Sequence, residues 1–214
     1  MQHHLTPEDL LNNPKFELID KVDYPDLKAF VIKEIGYKSW IIRLFSIMQI
    51  MAVIILVALT CYYIFGYIYE DMFKIELKTI AITLIFSFTL LIVTHELIHA
   101  AAFRLLGKKD IGFGVQLKKF LFYTESNREV LSRKEMLVVA LAPLTVISVA
   151  GIALYIFVPG ISFSLAGLIV FLVHLFFCGG DLAIVSYFLR QRPTEIFTFD
   201  DRNEKRSYYF RKIE

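Results

Sequence analysis

Residues 95–99 read His95-Glu96-Leu97-Ile98-His99, two histidines four positions apart with a glutamate directly after the first. On a helix, positions i and i+4 share a face about 6 Å apart, so both rings can bind one metal ion. Glu96 is turned about 100° away around the same helix. That offset lets its carboxylate reach a metal-bound water without being forced to ligate, which suits a general base for hydrolysis. Zinc fits such a site, because it accepts nitrogen and oxygen donors and lowers the pKa of its water toward about 7.

A catalytic zinc site needs a third protein ligand. Asp181 is the one Asp, Glu, Lys or Arg between Met136 and Leu189. Nine residues separate His95 from Arg104, and nine separate Asp181 from Arg190. With both arginines at one membrane surface, both groups lie ~13 Å below it, so Asp181 meets the histidines at one depth. His174, seven residues before Asp181, shares its helical stripe; hydrogen bonding to a ligand, oxyanion stabilisation and a plain polar core role all fit it. Cys178, near Asp181, reads as a small buried residue, although a thiolate can ligate zinc. The blander readings are helix–helix hydrogen bonding by the histidines, a protonated structural Glu96, and an Asp181 paired with a lysine or a backbone group. A glutamate and two histidines are costly in hydrocarbon, however, and together they mark function there. His3 and His4 form a pair near the terminus with no third ligand nearby, and read as accidental.

The elements that must position these groups are apolar. Of 214 residues, 57% are hydrophobic and 15% aromatic, and the mean hydropathy is +0.58. This excludes disorder, collagen, coiled coil and an ordinary soluble enzyme, and points to the membrane. A net charge of +2 gives no global field for nucleic acid. Cys61 and Cys178 lie far apart in apolar runs and make no disulfide scaffold. Residues 44–69 and 136–180 carry no Asp, Glu, Lys or Arg, and 79–103 carry only Glu96. A spanning helix needs about 20 residues, and Pro159-Gly160 divides the longest run. Four spans follow, at 41–69, 79–103, 136–158 and 161–189.

The expected fold is therefore an all-α membrane protein with four transmembrane helices and a short β-hairpin or loop insertion between helices two and three. Residues 1–40 form an N-terminal segment, 41–190 the helical domain and 191–214 a C-terminal tail. Within the insertion, Ile111 to Gln116 and Lys119 to Thr124 read as two short strands beside the metal, where an extended substrate can pair with a strand edge. In the tail, Glu195 to Phe199 reads as another strand. Gly179-Gly180 predicts close approach of a neighbour or a bend in the helix, either of which lets span four press on span two. Lys and Arg gather in 28–43, in 104–135 (eight) and after Leu189 (seven), against two in 70–78. That bias puts both termini on the cytoplasmic side of a cell membrane and the active site in the cytoplasmic half of the bilayer.

An HExxH in one membrane helix with an Asp in a later one resembles the site-2 protease group of intramembrane zinc metalloproteases. The whole shape is similar to the zincin-peptidase family of small bacterial membrane proteins, over roughly residues 79–190. The resemblance implies a three-helix catalytic core in spans two to four, zinc on His95, His99 and Asp181, and Glu96 as the catalytic residue. In place of the Asn–Pro element and Asp-Gly pair of site-2 proteases, this chain carries Gly179-Gly180-Asp181-Leu182.

The leading expectation is a zinc endopeptidase acting on membrane-protein or peptide substrates in or at the bilayer, with no nucleic-acid partner. A metal-ion transporter is the second reading, and a catalytically silent metal-binding scaffold the third. Transport needs successive polar sites across the membrane, and spans one and three lack them.

Overall fold

In hydrocarbon a backbone must satisfy its own hydrogen bonds, so the apolar runs become helices. The computed structural model describes residues 5–70, 73–119, 121–191 and 194–213; His3 and His4 lie outside the described residues. In chain order the elements are α1 (Pro7–Asn12), β1 (Phe16–Asp23), α2 (Leu27–Gly36), α3 (Trp40–Glu70), α4 (Lys74–Ser87) and α5 (Leu90–Leu105). Then follow β2 (Ile111–Gln116), β3 (Leu121–Ser126), β4 (Leu131–Ser132), α6 (Arg133–Phe157), α7 (Ile161–Phe177), α8 (Gly179–Arg190), β5 (Ile196–Asp201) and β6 (Arg206–Lys212). They divide into two compact units: Met1–Ser39 with Glu96–Ala142 and Gly180–Glu214, and Trp40–His95 with Pro143–Gly179.

The second of these units is helical. Tyr63 of α3, Ile80 of α4 and Leu165, Ile169 and Val173 of α7 form its buried cluster. Most of α3 turns apolar side chains outward, among them Ile47, Ile50, Ile54 and Val57. Such a surface suits lipid rather than water. Helices α3 and α6 are each long and apolar enough to cross a membrane. The pairs α4–α5 and α7–α8 pass that test only jointly, each bent at a short break, so two to four spans are available.

Spans two and four, expected at 79–103 and 161–189, are thus each divided, span four at the glycine pair where a bend was one expectation. The first break follows from hydroxyl side chains. Ser87 Oγ donates to the Thr83 carbonyl at 2.8 Å, and Thr89 Oγ1 to the Ile85 carbonyl at 2.7 Å. Such back-bonding competes with the helical ladder and bends helices. The second break falls at Cys178 (φ −76°, ψ 4°), followed by two glycines that hold a helix poorly. A Cβ on Gly179 or Gly180 would meet nothing within 4 Å, so this pair is not the packing face expected of it.

Close packing lies instead between α6 and α7. A Cβ on Gly167 would fall 2.5 Å from the Gly151 carbonyl oxygen and 2.8 Å from the Tyr155 nitrogen, both rigid backbone atoms. Gly167→Ala is therefore expected to destabilise the protein by about 1–3 kcal/mol, a fall of several degrees in Tm. Gly180→Ala should leave Tm unchanged or raised, and thermal unfolding in detergent compares the two.

The other unit corrects the all-α expectation. Its main sheet is antiparallel with strand order β1-β6-β5-β4. Glu17 of β1 and Ile196 of β5 both pair with Arg211 of β6, and Leu131 of β4 pairs with Thr198. The strand expected at 195–199 runs from Ile196 to Asp201, and β1, β4 and β6 join it. Phe30 of α2 and Tyr187 and Phe188 of α8 cover this sheet against Val22, Ile196 and Tyr209. A separate antiparallel pair joins β2 to β3, from Ile111↔Ser126 to Gln116↔Leu121. The first of these strands has the expected bounds. The second begins two residues later than expected, because Leu117–Lys119 coil into a 3₁₀ turn.

Candidate metal centre

Helix α5 carries the motif, and His95 and His99 stand one turn apart on it. Both are buried and Glu96 is half-buried. Asp181 enters from the first turn of α8, where a carboxylate also suits the positive end of the helix dipole. The structure brings Asp181 against His99, with Oδ1 3.2 Å from His99 Nε2.

The second nitrogen of each histidine is engaged elsewhere. His99 Nδ1 lies 3.0 Å from the Val139 carbonyl of α6. A carbonyl only accepts, so Nδ1 carries the hydrogen and Nε2 of the neutral ring holds a lone pair. That lone pair faces a carboxylate oxygen. Two acceptors 3.2 Å apart need a proton or a cation between them, and about 3.3 Å separates two ligands on a tetrahedral zinc with bonds near 2.0–2.1 Å. Two imidazoles and a carboxylate are also a donor set of catalytic zinc. The residues fit the metal. His95 Nδ1 lies 3.0 Å from Nε2 of His174, which is fully buried on α7. Cys178 Sγ is 3.6 Å from both His174 ring nitrogens.

A residue that sequence reasoning missed holds the glutamate. Thr124 Oγ1 of β3 donates toward Glu96 Oε2 at 2.7 Å, and stands 3.1 Å from the Glu96 carbonyl oxygen. Thr124 lies 28 residues on in sequence, and no periodicity links the two. Its neighbour Glu125 points to the opposite face of the strand, as alternation requires, and anchors it there. Glu125 is buried and bonded by Tyr24 Oη and Arg202 Nε. Burial, with the Asp200 and Glu125 charges, raises the Tyr24 phenol far above its ordinary range, so it remains a donor. Gln116 Nε2 adds a bond to the Tyr24 carbonyl at 2.6 Å. The β2–β3 pair is thus pinned where it can set the Glu96 side chain.

A family model described as "Putative zincin peptidase" matches residues 88–196, which include α5, the β2–β3 pair, α6, α7 and α8. Neither the curated proteins nor the solved structures contain a match.

Proposed function

The chain belongs to the zincin peptidase family, which implies a zinc cofactor, and on that premise we propose that it is a membrane-embedded zinc endopeptidase similar to site-2 proteases. His95, His99 and Asp181 would hold the metal, and Glu96 is the general base. The observation that carries this reading is the approach of Asp181 to His99, on the same helix that carries Glu96.

Zinc, when bound, supplies a Lewis acid that acidifies water and polarises a carbonyl. The protein's own groups do the rest. The Glu96 carboxylate takes a proton from the water that attacks the carbonyl carbon, and returns it to the departing amine nitrogen. Thr124 holds one Glu96 oxygen and so limits its rotation. An extended peptide can pair with a strand edge of the β2–β3 pair, where Phe113 and Val115 are exposed. Substrates are membrane-spanning or membrane-proximal segments. The Lys and Arg distribution supports four spans, both termini on the cytoplasmic side and the site in the cytoplasmic half of the bilayer.

The test is metal removal. Full-length protein in detergent is expected to cleave membrane-segment peptides, to stop when a chelator strips the metal, and to resume on addition of zinc. Cleavage indifferent to chelation would sink the proposal.

A further inference from the structure

We infer that His174 is a positioning residue for His95, accepting the His95 Nδ1–H at its own Nε2 and thereby leaving His95 Nε2 as the nitrogen that binds metal. The inference rests on the reading of His95 as a zinc ligand. The two ring nitrogens are 3.0 Å apart and both rings are buried, so one of the two carries the shared hydrogen. Were His174 the donor, neutral His95 would carry its hydrogen on Nε2 and that nitrogen could not ligate. With His174 as acceptor, His95 takes the tautomer that the Val139 carbonyl imposes on His99. Both motif histidines then offer Nε2.

Cys178 Sγ lies 3.6 Å from both Nδ1 and Nε2 of His174, so it does not set which nitrogen of that ring carries the hydrogen. A thiol is both a weak donor and a weak acceptor, and here it is fully buried one turn farther along the chain. His95 on α5 and His174 on α7 lie within one unit. Partners of this kind fix ring orientation and raise ligand basicity.

The competing arrangement is explicit. His95, His174 and Cys178 also offer ligand atoms within 4.8 Å of one another, so an ion could lie among them instead. The His95–His174 distance favours the hydrogen bond. A separation of 3.0 Å is ordinary for a hydrogen bond between nitrogens, and shorter than the ~3.3 Å between two nitrogen ligands of a tetrahedral ion.

Cobalt(II) in place of zinc on the full-length protein tests this. His174→Leu should weaken cobalt binding about 10–100-fold. His174→Gln, whose amide oxygen can accept the same hydrogen, should stay close to wild type, which a merely space-filling role would not predict. Cys178→Ala should leave affinity and spectrum unchanged. In metal-free protein, the ¹⁵N shifts of His95 should report a hydrogen on Nδ1, and mixed tautomers in His174→Leu. A sulfur-to-cobalt charge-transfer band that vanishes in Cys178→Ala would overturn the inference, as would full cobalt affinity in His174→Leu. Should that variant fail to fold, wild-type shifts showing the hydrogen on Nε2 would overturn it equally. Failure of the zinc reading itself looks different: cobalt binding is then unmoved by His99→Ala and Asp181→Ala, and the nitrogen shifts still decide the role of His174.

Discussion

Replacing Glu96 with glutamine is expected to abolish peptide hydrolysis and to leave the zinc in place, at about one per chain. The amide matches the carboxylate in size but cannot take a proton from water. General-base catalysis is worth about 10²–10⁴ in rate, so turnover should fall at least that far. The metal should stay, because Glu96 is offset around α5 from the face that carries His95 and His99. The Thr124 hydroxyl can still bond the Gln oxygen, so the hairpin is not released. Peptide cleavage by the purified variant, with zinc measured by mass spectrometry on the same sample, checks both halves. A variant that cleaves at the normal rate would remove Glu96 from the chemistry. A variant that loses its zinc would make Glu96 a ligand instead.

Asp181→Ala is expected to lose zinc and activity together. The 3.2 Å approach of its carboxylate to His99 Nε2 is the contact that completes the donor set, and without it two imidazoles are left to hold the ion. Removing a direct ligand should cost more than the ~10–100-fold seen for outer partners of metal sites. Zinc content after dialysis against buffer of low free metal reads the result. Zinc kept without Asp181 would move the third ligand elsewhere, with His174 and Cys178 the nearest candidates on His95. The glutamate and aspartate variants thus separate catalysis from metal holding.

The approach of Asp181 to His99 was more legible than the architecture around it. The HExxH spacing and the lone acid at 181 are local facts, and equal counts to Arg104 and Arg190 put both groups at one depth without any tertiary information. Hydropathy found the apolar segments for the same reason, since hydrocarbon acts on each stretch separately. The break after Ser87 was missed because mean hydropathy does not register where Ser87 and Thr89 turn their hydroxyls back onto the helix. The main sheet was missed because its strands are short and its pairing is remote. In β1, Phe-Glu-Leu-Ile-Asp-Lys-Val-Asp does not alternate cleanly, and its burial pattern is equally irregular. Glu17 finds Arg211 only through the fold. His174 was visible as a buried polar oddity, but its partner was not: helical stripes locate a residue on its own helix and say nothing of the ring that faces it. Thr124 was legible only as the end of a strand beside the metal, because its hydroxyl contact with Glu96 depends on the position of the whole β2–β3 pair.

The pairing of β1 with β6 also bears on the order of events during synthesis. Asp23, the end of β1, leaves the ribosome 183 residues before Arg206, the start of β6 (206 minus 23). At about 5–20 residues per second that is a delay of roughly 10–40 s. Every apolar helix is made within that interval, while β1 still lacks its partner. Strand β6 lies between β1 and β5, so the sheet cannot close before β6 arrives. The unit that holds Glu96, His99 and Asp181 includes this sheet and is assembled from three separate stretches of chain. The HExxH is therefore synthesised well before the unit that holds Glu96, His99 and Asp181 can close, and the site matures only once β6 has been made.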